Sequence, residues 1–154
     1  IRMENSLYRA FETIPSIVEA EAIVRLLAAT DGPPVWISFQ ARSAEALADG
    51  APVEAAAALA DRCPRLVAVG VNCVAPALVA PLLARLAAAT SKPLAAYPTR
   101  GDTWDAASRS WIESGTAVAF DRLAREWRTA GARLIGGCCR TTPADIRAIA
   151  AALE

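Results

Sequence analysis

Short, nearly continuous apolar runs alternate along this chain with longer stretches of helical spacing, and few folds accept that pattern. "PPVWISF" (33–39), "RLVAVGVNC" (65–73), "KPLAAYP" (92–98) and "RLIGG" (133–137) are such runs, and "LYRAFET" (7–13) is a fifth candidate strand. A strand apolar at consecutive positions needs cover on both faces, which parallel sheets receive from crossover helices. The intervening segments supply those helices. Ile17, Val24 and Leu27 recur at helical spacing, and Pro52 suits the first turn of an alanine-rich helix over 52–62. Val79, Leu82, Leu83 and Leu86 mark a third helix with Pro81 expected in its first turn. Phe120, Leu123, Ala124 and Trp127 mark a fourth, ended by Gly131. In the last helix Thr142 caps, Pro143 opens, Asp145 faces the positive dipole end, and Ile146, Ile149, Ala150 and Leu153 form the expected buried face.

Single helices between strands predict βαβ units and a parallel α/β sheet in one domain, residues 1–154. Two architectures fit: an open doubly wound sheet, or part of a (β/α)8 barrel. No glycine-rich phosphate loop follows a strand, which weakens the nucleotide-binding form. A whole barrel typically takes about 250 residues. The segment 99–116, with Trp104 and Trp111, reads as a long polar loop, and such loops are often functional.

Sixteen basic residues balance sixteen acidic ones, so no nucleic-acid or anionic-membrane partner is expected. The apolar stretches are broken before membrane-spanning length, and no secretory signal opens the sequence; a reducing cytoplasm is expected. Ile1 rather than Met at the start favours a truncated reading frame or an excised piece. Histidine is absent, which excludes Ser-His-Asp triads, Cys-His pairs and histidine-containing zinc sites within this chain.

Four cysteines remain. Cys73 closes one predicted strand, and Cys138 with Cys139 closes another; the carboxyl ends of parallel strands share one rim, where the chemistry of such folds lies. Gly136 and Gly137 allow the sharp turn that frees the adjacent pair from alternation. Three thiolates and one vacant position describe a catalytic zinc site. Simple burial of small apolar thiols is the competing reading, and a Cys138–Cys139 redox switch a weaker third, because a disulfide between neighbours is strained. Cys63 lies at a helix end, on the wrong side of its unit to be a ligand.

Several stretches together resemble the zinc-dependent homocysteine S-methyltransferase family, most closely its S-methylmethionine-using branch. They are "FETIPS" (11–16), "DG" (49–50), "GVNC" (70–73), "YPTRGDTWD" (97–105) and "AGARLIGGCCRTTPADI" (130–146). The likeness runs from about residue 8 to the C-terminus. It implies an incomplete (β/α)8 TIM barrel comprising about strands four to eight, with Zn2+ held by Cys73, Cys138 and Cys139. It implies Glu12 as the ligand of the homocysteine ammonium group, while Asn72, a further candidate substrate-binding residue, either orients the Cys73 sulfur or only tightens a turn. The implied reaction is methyl transfer from a sulfonium donor, S-methylmethionine or S-adenosylmethionine, to homocysteine, giving methionine. A zinc-binding partial barrel that needs its N-terminal half is the alternative. Thr99 departs from the asparagine usual in this branch.

Three residues keep both a structural and a functional reading. Arg140 either screens the thiolate charge or is an exposed side chain near a helix start, while Trp104 and Trp111 either line a donor pocket or pack the long loop. Of the predicted strand residues, Val67, Val69, Leu134 and Gly136 are expected to face the barrel interior. Sheet edges near 7–13 and 133–137 are expected to be open to self-association.

Overall fold

The computed structural model describes residues 8–115 and 117–154, and in it the apolar runs form strands and the helical-spacing stretches form helices. β1 (Arg9–Ile14), β2 (Val35–Phe39), β3 (Leu66–Asn72) and β4 (Leu94–Tyr97) pair in parallel. β5 (Thr103–Asp105) and β6 (Ser110–Ile112) form a separate antiparallel pair, and β7 (Ala132–Ile135) adds to β4. The main sheet thus has the order β1-β2-β3-β4-β7. α1 (Ile17–Ala29), α2 (Glu54–Asp61), α3 (Pro76–Ala89) and α4 (Phe120–Thr129) lie between its strands, and α5 (Pro143–Leu153) follows β7. Each strand is laid beside the one before it without reversal. Winding in one direction puts successive right-handed crossovers on one face, as in a barrel wall; a doubly wound sheet reverses its order.

The core fills the layer between sheet and helices. Ile37, Phe39, Val69, Val71, Leu94 and Ala96 meet Leu27, Leu59, Leu82, Leu83, Leu86, Phe120 and Trp127 there, all buried. Alternation leaves Trp36, Ser38, Gly70, Asn72 and Tyr97 on the opposite, concave face. Val69 therefore faces the helices, contrary to the expectation for it. Val67 and Leu134 do line a concave-face cavity of about 420 Å³, together with Trp36 and Ala68. Gly136 lines a smaller one nearby.

Local chemistry sets the helix ends. Ser16 caps α1 by accepting the Glu19 N–H at 3.2 Å. Thr142 and Asp145 form a reciprocal capping box on α5. Gly131 at φ +106° reverses the chain after α4, a backbone conformation that favours glycine. Two prolines stand elsewhere than expected. α3 begins at Pro76, so Pro81 lies inside the helix rather than in its first turn. Pro52 precedes α2 and forms an isolated bridge with Ala46.

The segment after β4 is more ordered than its polarity suggests. Trp104 and Trp111 face each other across the β5–β6 hairpin, with ring centroids 5.3 Å apart at 61°. This cross-strand pair packs the segment itself. On α5 only Ile149 is fully buried; Ile146 and Ala150 are exposed. The helix packs chiefly on α4, beyond the last strand of the described residues. Leu7 of the first expected strand and Thr116 of the expected loop lie outside the described residues. No helix among the described residues is long and apolar enough to cross a membrane.

Candidate metal centre

The carboxyl ends of β3 and β7 bring three sulfurs together. Cys73 follows β3 directly and adopts φ +54°, an uncommon conformation for a side chain-bearing residue. Its N–H donates to the Tyr97 carbonyl at 3.3 Å. Past β7, the Cys138 N–H donates to the Pro98 carbonyl at 2.8 Å, and the Cys139 carbonyl accepts the Arg100 N–H at 3.0 Å. Thr141 folds back and donates both its N–H (3.1 Å) and its hydroxyl (2.6 Å) to the Cys138 carbonyl. That closure needs a glycine at 137, where a Cβ would lie 2.4 Å from Thr141 Oγ1.

The turn aims both neighbouring cysteines at Cys73. Its sulfur is 3.2 Å from Cys138 Sγ and 3.4 Å from Cys139 Sγ, and the pair are 3.9 Å apart. A disulfide would need about 2.05 Å, and all four cysteines are free thiols. Sulfurs about 2.3 Å from a tetrahedral zinc stand about 3.8 Å from one another, so small adjustments fit this trio to the metal. No other group of three ligating side chains among the described residues is as compact. Burial, then hydrogen bonds with the other two thiols, push the Cys73 thiol up to about 12. Cys73 therefore keeps its proton at neutral pH unless a cation compensates the charge. Cys63 is buried in the core, and its carbonyl accepts the Leu66 N–H at the opposite end of β3.

Behind the sulfurs lies a polar network on the concave face. Asn72 Oδ1 accepts the Thr13 N–H at 2.8 Å and the Ser38 hydroxyl at 2.7 Å. Its Nδ2 donates to Thr13 Oγ1 at 2.7 Å and reaches Cys138 Sγ at 3.9 Å. Asn72 thus contacts Cys138. Ser38 also makes a short contact with the Tyr97 hydroxyl, which accepts the Trp36 indole N–H at 3.2 Å. Burial, opposed by these bonds and joined by the charge of Glu12, pushes Tyr97 up to about 12.

Glu12 sits where the β1–β2 register breaks, between Phe11 and Ile14, and the next residue, Thr13, has φ +60°. Such irregularities re-aim side chains. Glu12 lines a pocket of about 200 Å³ with Trp36, Tyr97, Gly136 and Gly137, the last directly before the cysteine pair. The "DG" stretch anchors this corner, since Asp49 Oδ2 accepts the Ile17 N–H at 2.9 Å while the Asp49 N–H donates to the Pro15 carbonyl.

Arg140 does not screen the thiolates. Its guanidinium pairs with Asp102 at 3.0 Å and Glu113 at 3.2 Å. The Ser114 N–H, then Arg140, hold the Asp102 carboxyl below its usual range. Thr99 is buried, donates to the Val74 carbonyl at 3.3 Å and accepts the Gly101 N–H, a turn-forming role. Sequence reasoning missed Ser38, Thr13, Trp36 and Tyr97; the polar Ser38 inside an apolar run was the available signal.

A family model described as Homocysteine S-methyltransferase matches residues 7–153. The homocysteine S-methyltransferase YbgG of Bacillus subtilis is 41% identical over 142 residues, covering 92% of this chain and 45% of that protein. The homocysteine S-methyltransferase of Escherichia coli is 44% identical over 144 residues, 92% of this chain and 46% of that protein. The crystal structure of the metallated form of the Escherichia coli homocysteine methyltransferase MmuM superimposes with a TM-score of 0.80 at 39% identity, covering 96% of this chain and 45% of that one. The chain spans about half the length of the curated relatives it matches.

Proposed function

The chain belongs to the homocysteine S-methyltransferase family, and we propose that it forms the metal-bearing part of a barrel that methylates homocysteine from a small sulfonium donor such as S-methylmethionine or S-adenosylmethionine. The observation that carries this reading is the convergence of three sulfurs, all within 4.8 Å of one another, at the carboxyl rim of a barrel-type sheet. Cys73, Cys138 and Cys139 are the residues that would hold zinc and leave one position free.

Zinc, when bound, supplies the positive charge that keeps a thiol deprotonated at neutral pH, where a free thiol of pKa about 8.5 is mostly protonated. The protein's part is to place the nucleophile. Glu12 offers a carboxylate to the homocysteine ammonium from the pocket that ends at Gly137, beside the cysteine pair. The homocysteine sulfur then forms a bond to the donor's methyl carbon as the carbon–sulfonium bond breaks, its electron pair staying on the departing neutral sulfide. The homocysteine proton has already left to solvent, so no side-chain base is required, which suits a chain without histidine.

We assign this activity to the closed barrel. The sheet of the described residues ends at β1 and β7, and those edges are where further strands, or another copy of the chain, would pair. The test is zinc content together with methionine formation from homocysteine and each sulfonium donor in turn. Zinc-free protein without transfer activity overturns the proposal.

Glu12→Gln in the complete barrel is expected to retain zinc while weakening homocysteine binding by about 1–3 kcal/mol, because a charge-assisted hydrogen bond becomes a neutral one. Titration calorimetry with homocysteine alone reads this directly. An unchanged dissociation constant removes Glu12 from the site.

A further inference from the structure

The metal site leaves a polar cluster unexplained: the side chains of Trp36, Ser38 and Tyr97 lie on the concave face and hydrogen-bond to one another. One arrangement of protons satisfies all three side-chain pairs from Trp36 to Asn72. The Trp36 indole can only donate, and it donates to the Tyr97 oxygen. Asn72 Oδ1 can only accept, so the single proton of Ser38 is committed to it. In that arrangement the Tyr97 hydroxyl donates to Ser38, in competition with the Glu12 carboxylate that also faces it. Polarity runs one way, from Trp36 through Tyr97 and Ser38 to Asn72.

The end of that chain decides how the Asn72 amide is turned. With Oδ1 held by Ser38 and by the Thr13 N–H, the Nδ2 group must face Thr13 Oγ1 and Cys138 Sγ. The flipped amide would oppose its Nδ2 to the Thr13 N–H, donor against donor, and turn a lone pair toward the sulfur. Ser38 is 0% and Asn72 1% exposed, so water does not replace a lost partner.

We propose that Trp36, Tyr97 and Ser38 are positioning residues that hold the Asn72 amide N–H toward the Cys138 sulfur, so that one thiolate of the metal site carries less charge than the other two. This rests on the metal-site reading above and adds an asymmetry to it. Hydrogen bonds from beyond the ligands tune both the basicity of a ligand and the affinity for the metal.

The test uses the full chain loaded with Co(II), whose sulfur-to-metal charge-transfer band reports the electron density on the thiolates. Ser38→Ala is expected to move that band to longer wavelength and to weaken metal affinity about 10-fold. Tyr97→Phe should shift it the same way by less, because Ser38 still donates to Asn72. Asn72→Leu removes the N–H without adding a charge, so it should shift the band furthest. A loss of packing alone would not move a charge-transfer energy. Variants that bind Co(II) with an unmoved band overturn this inference and leave the metal site standing. A parent chain that takes up no Co(II) overturns both.

Discussion

Replacing any one of Cys73, Cys138 and Cys139 with alanine is expected to abolish stoichiometric zinc binding, while Cys63→Ala leaves it intact. Structural zinc sites bind with about 10–16 kcal/mol at neutral pH. Shared over four positions, one thiolate corresponds to about 2.5–4 kcal/mol, a loss of roughly 60-fold to 700-fold in affinity. The three sulfurs are equivalent in this respect because each lies within 4.0 Å of the other two. The buried Cys63 points into the core and offers the site nothing. Binding should also depend on pH. With Cys73 pushed up to about 12 in the metal-free chain, zinc must displace protons at neutral pH. Affinity therefore rises with pH through the neutral range, and acidification releases the metal. Competition with a chelator across a pH series, on parent and variants, measures both effects. Loss of zinc from Cys63→Ala alone would place the site elsewhere.

The second large effect concerns a residue with no chemistry of its own. Gly70→Ala puts a methyl group 1.9 Å from the Ala95 carbonyl oxygen, a backbone atom that cannot turn aside. Gly70 pairs with Ala95 in the β3–β4 register, so relief requires the two strands to part. Overpacking of this kind typically costs about 1–3 kcal/mol, and a clash with backbone belongs at the upper end. Because Asn72 and Cys73 follow two and three residues later, zinc affinity should fall with stability. Urea denaturation of parent and variant, with zinc content measured on the same samples, would show it. An unchanged midpoint would mean that β3 and β4 separate at little cost.

Much of the barrel wall was legible in the sequence because its signals are local. A strand covered on both faces reads as an apolar run, and Thr142, Pro143 and Asp145 announce a helix start within four positions. Pro81 was harder to place, since a proline alone does not say where a helix begins; Pro76, at the first position, is the marker of α3. The hairpin at Trp104 and Trp111 was hidden by its polarity, because an exposed ribbon buries too little apolar surface to show alternation. The cysteine trio could be read from strand ends alone. The network behind it could not, since Ser38 and Asn72 are 34 residues apart and Thr13 and Asn72 are 59 apart. Such contacts arise only from the order of the strands. The exposure of Ile146 is also a tertiary result: its spacing is that of a buried face, but α5 lies past the last strand.

Glu12 stands on β1 and the cysteine pair follows β7, the two margins of one curved sheet. On the proposed reading, homocysteine is held at its ammonium by the first margin and at its sulfur by a metal that the second margin would share with Cys73 after β3. The substrate is then a chord drawn across an arc. An amino acid one methylene shorter could touch both anchors only if the arc bent more tightly, and a longer one only if it flattened. Every strand between β1 and β7 shares in resisting that change of curvature. The wall itself is the ruler, and discrimination by chain length is distributed through the strands between the margins, of which β3 alone, through Cys73, helps to hold an anchor.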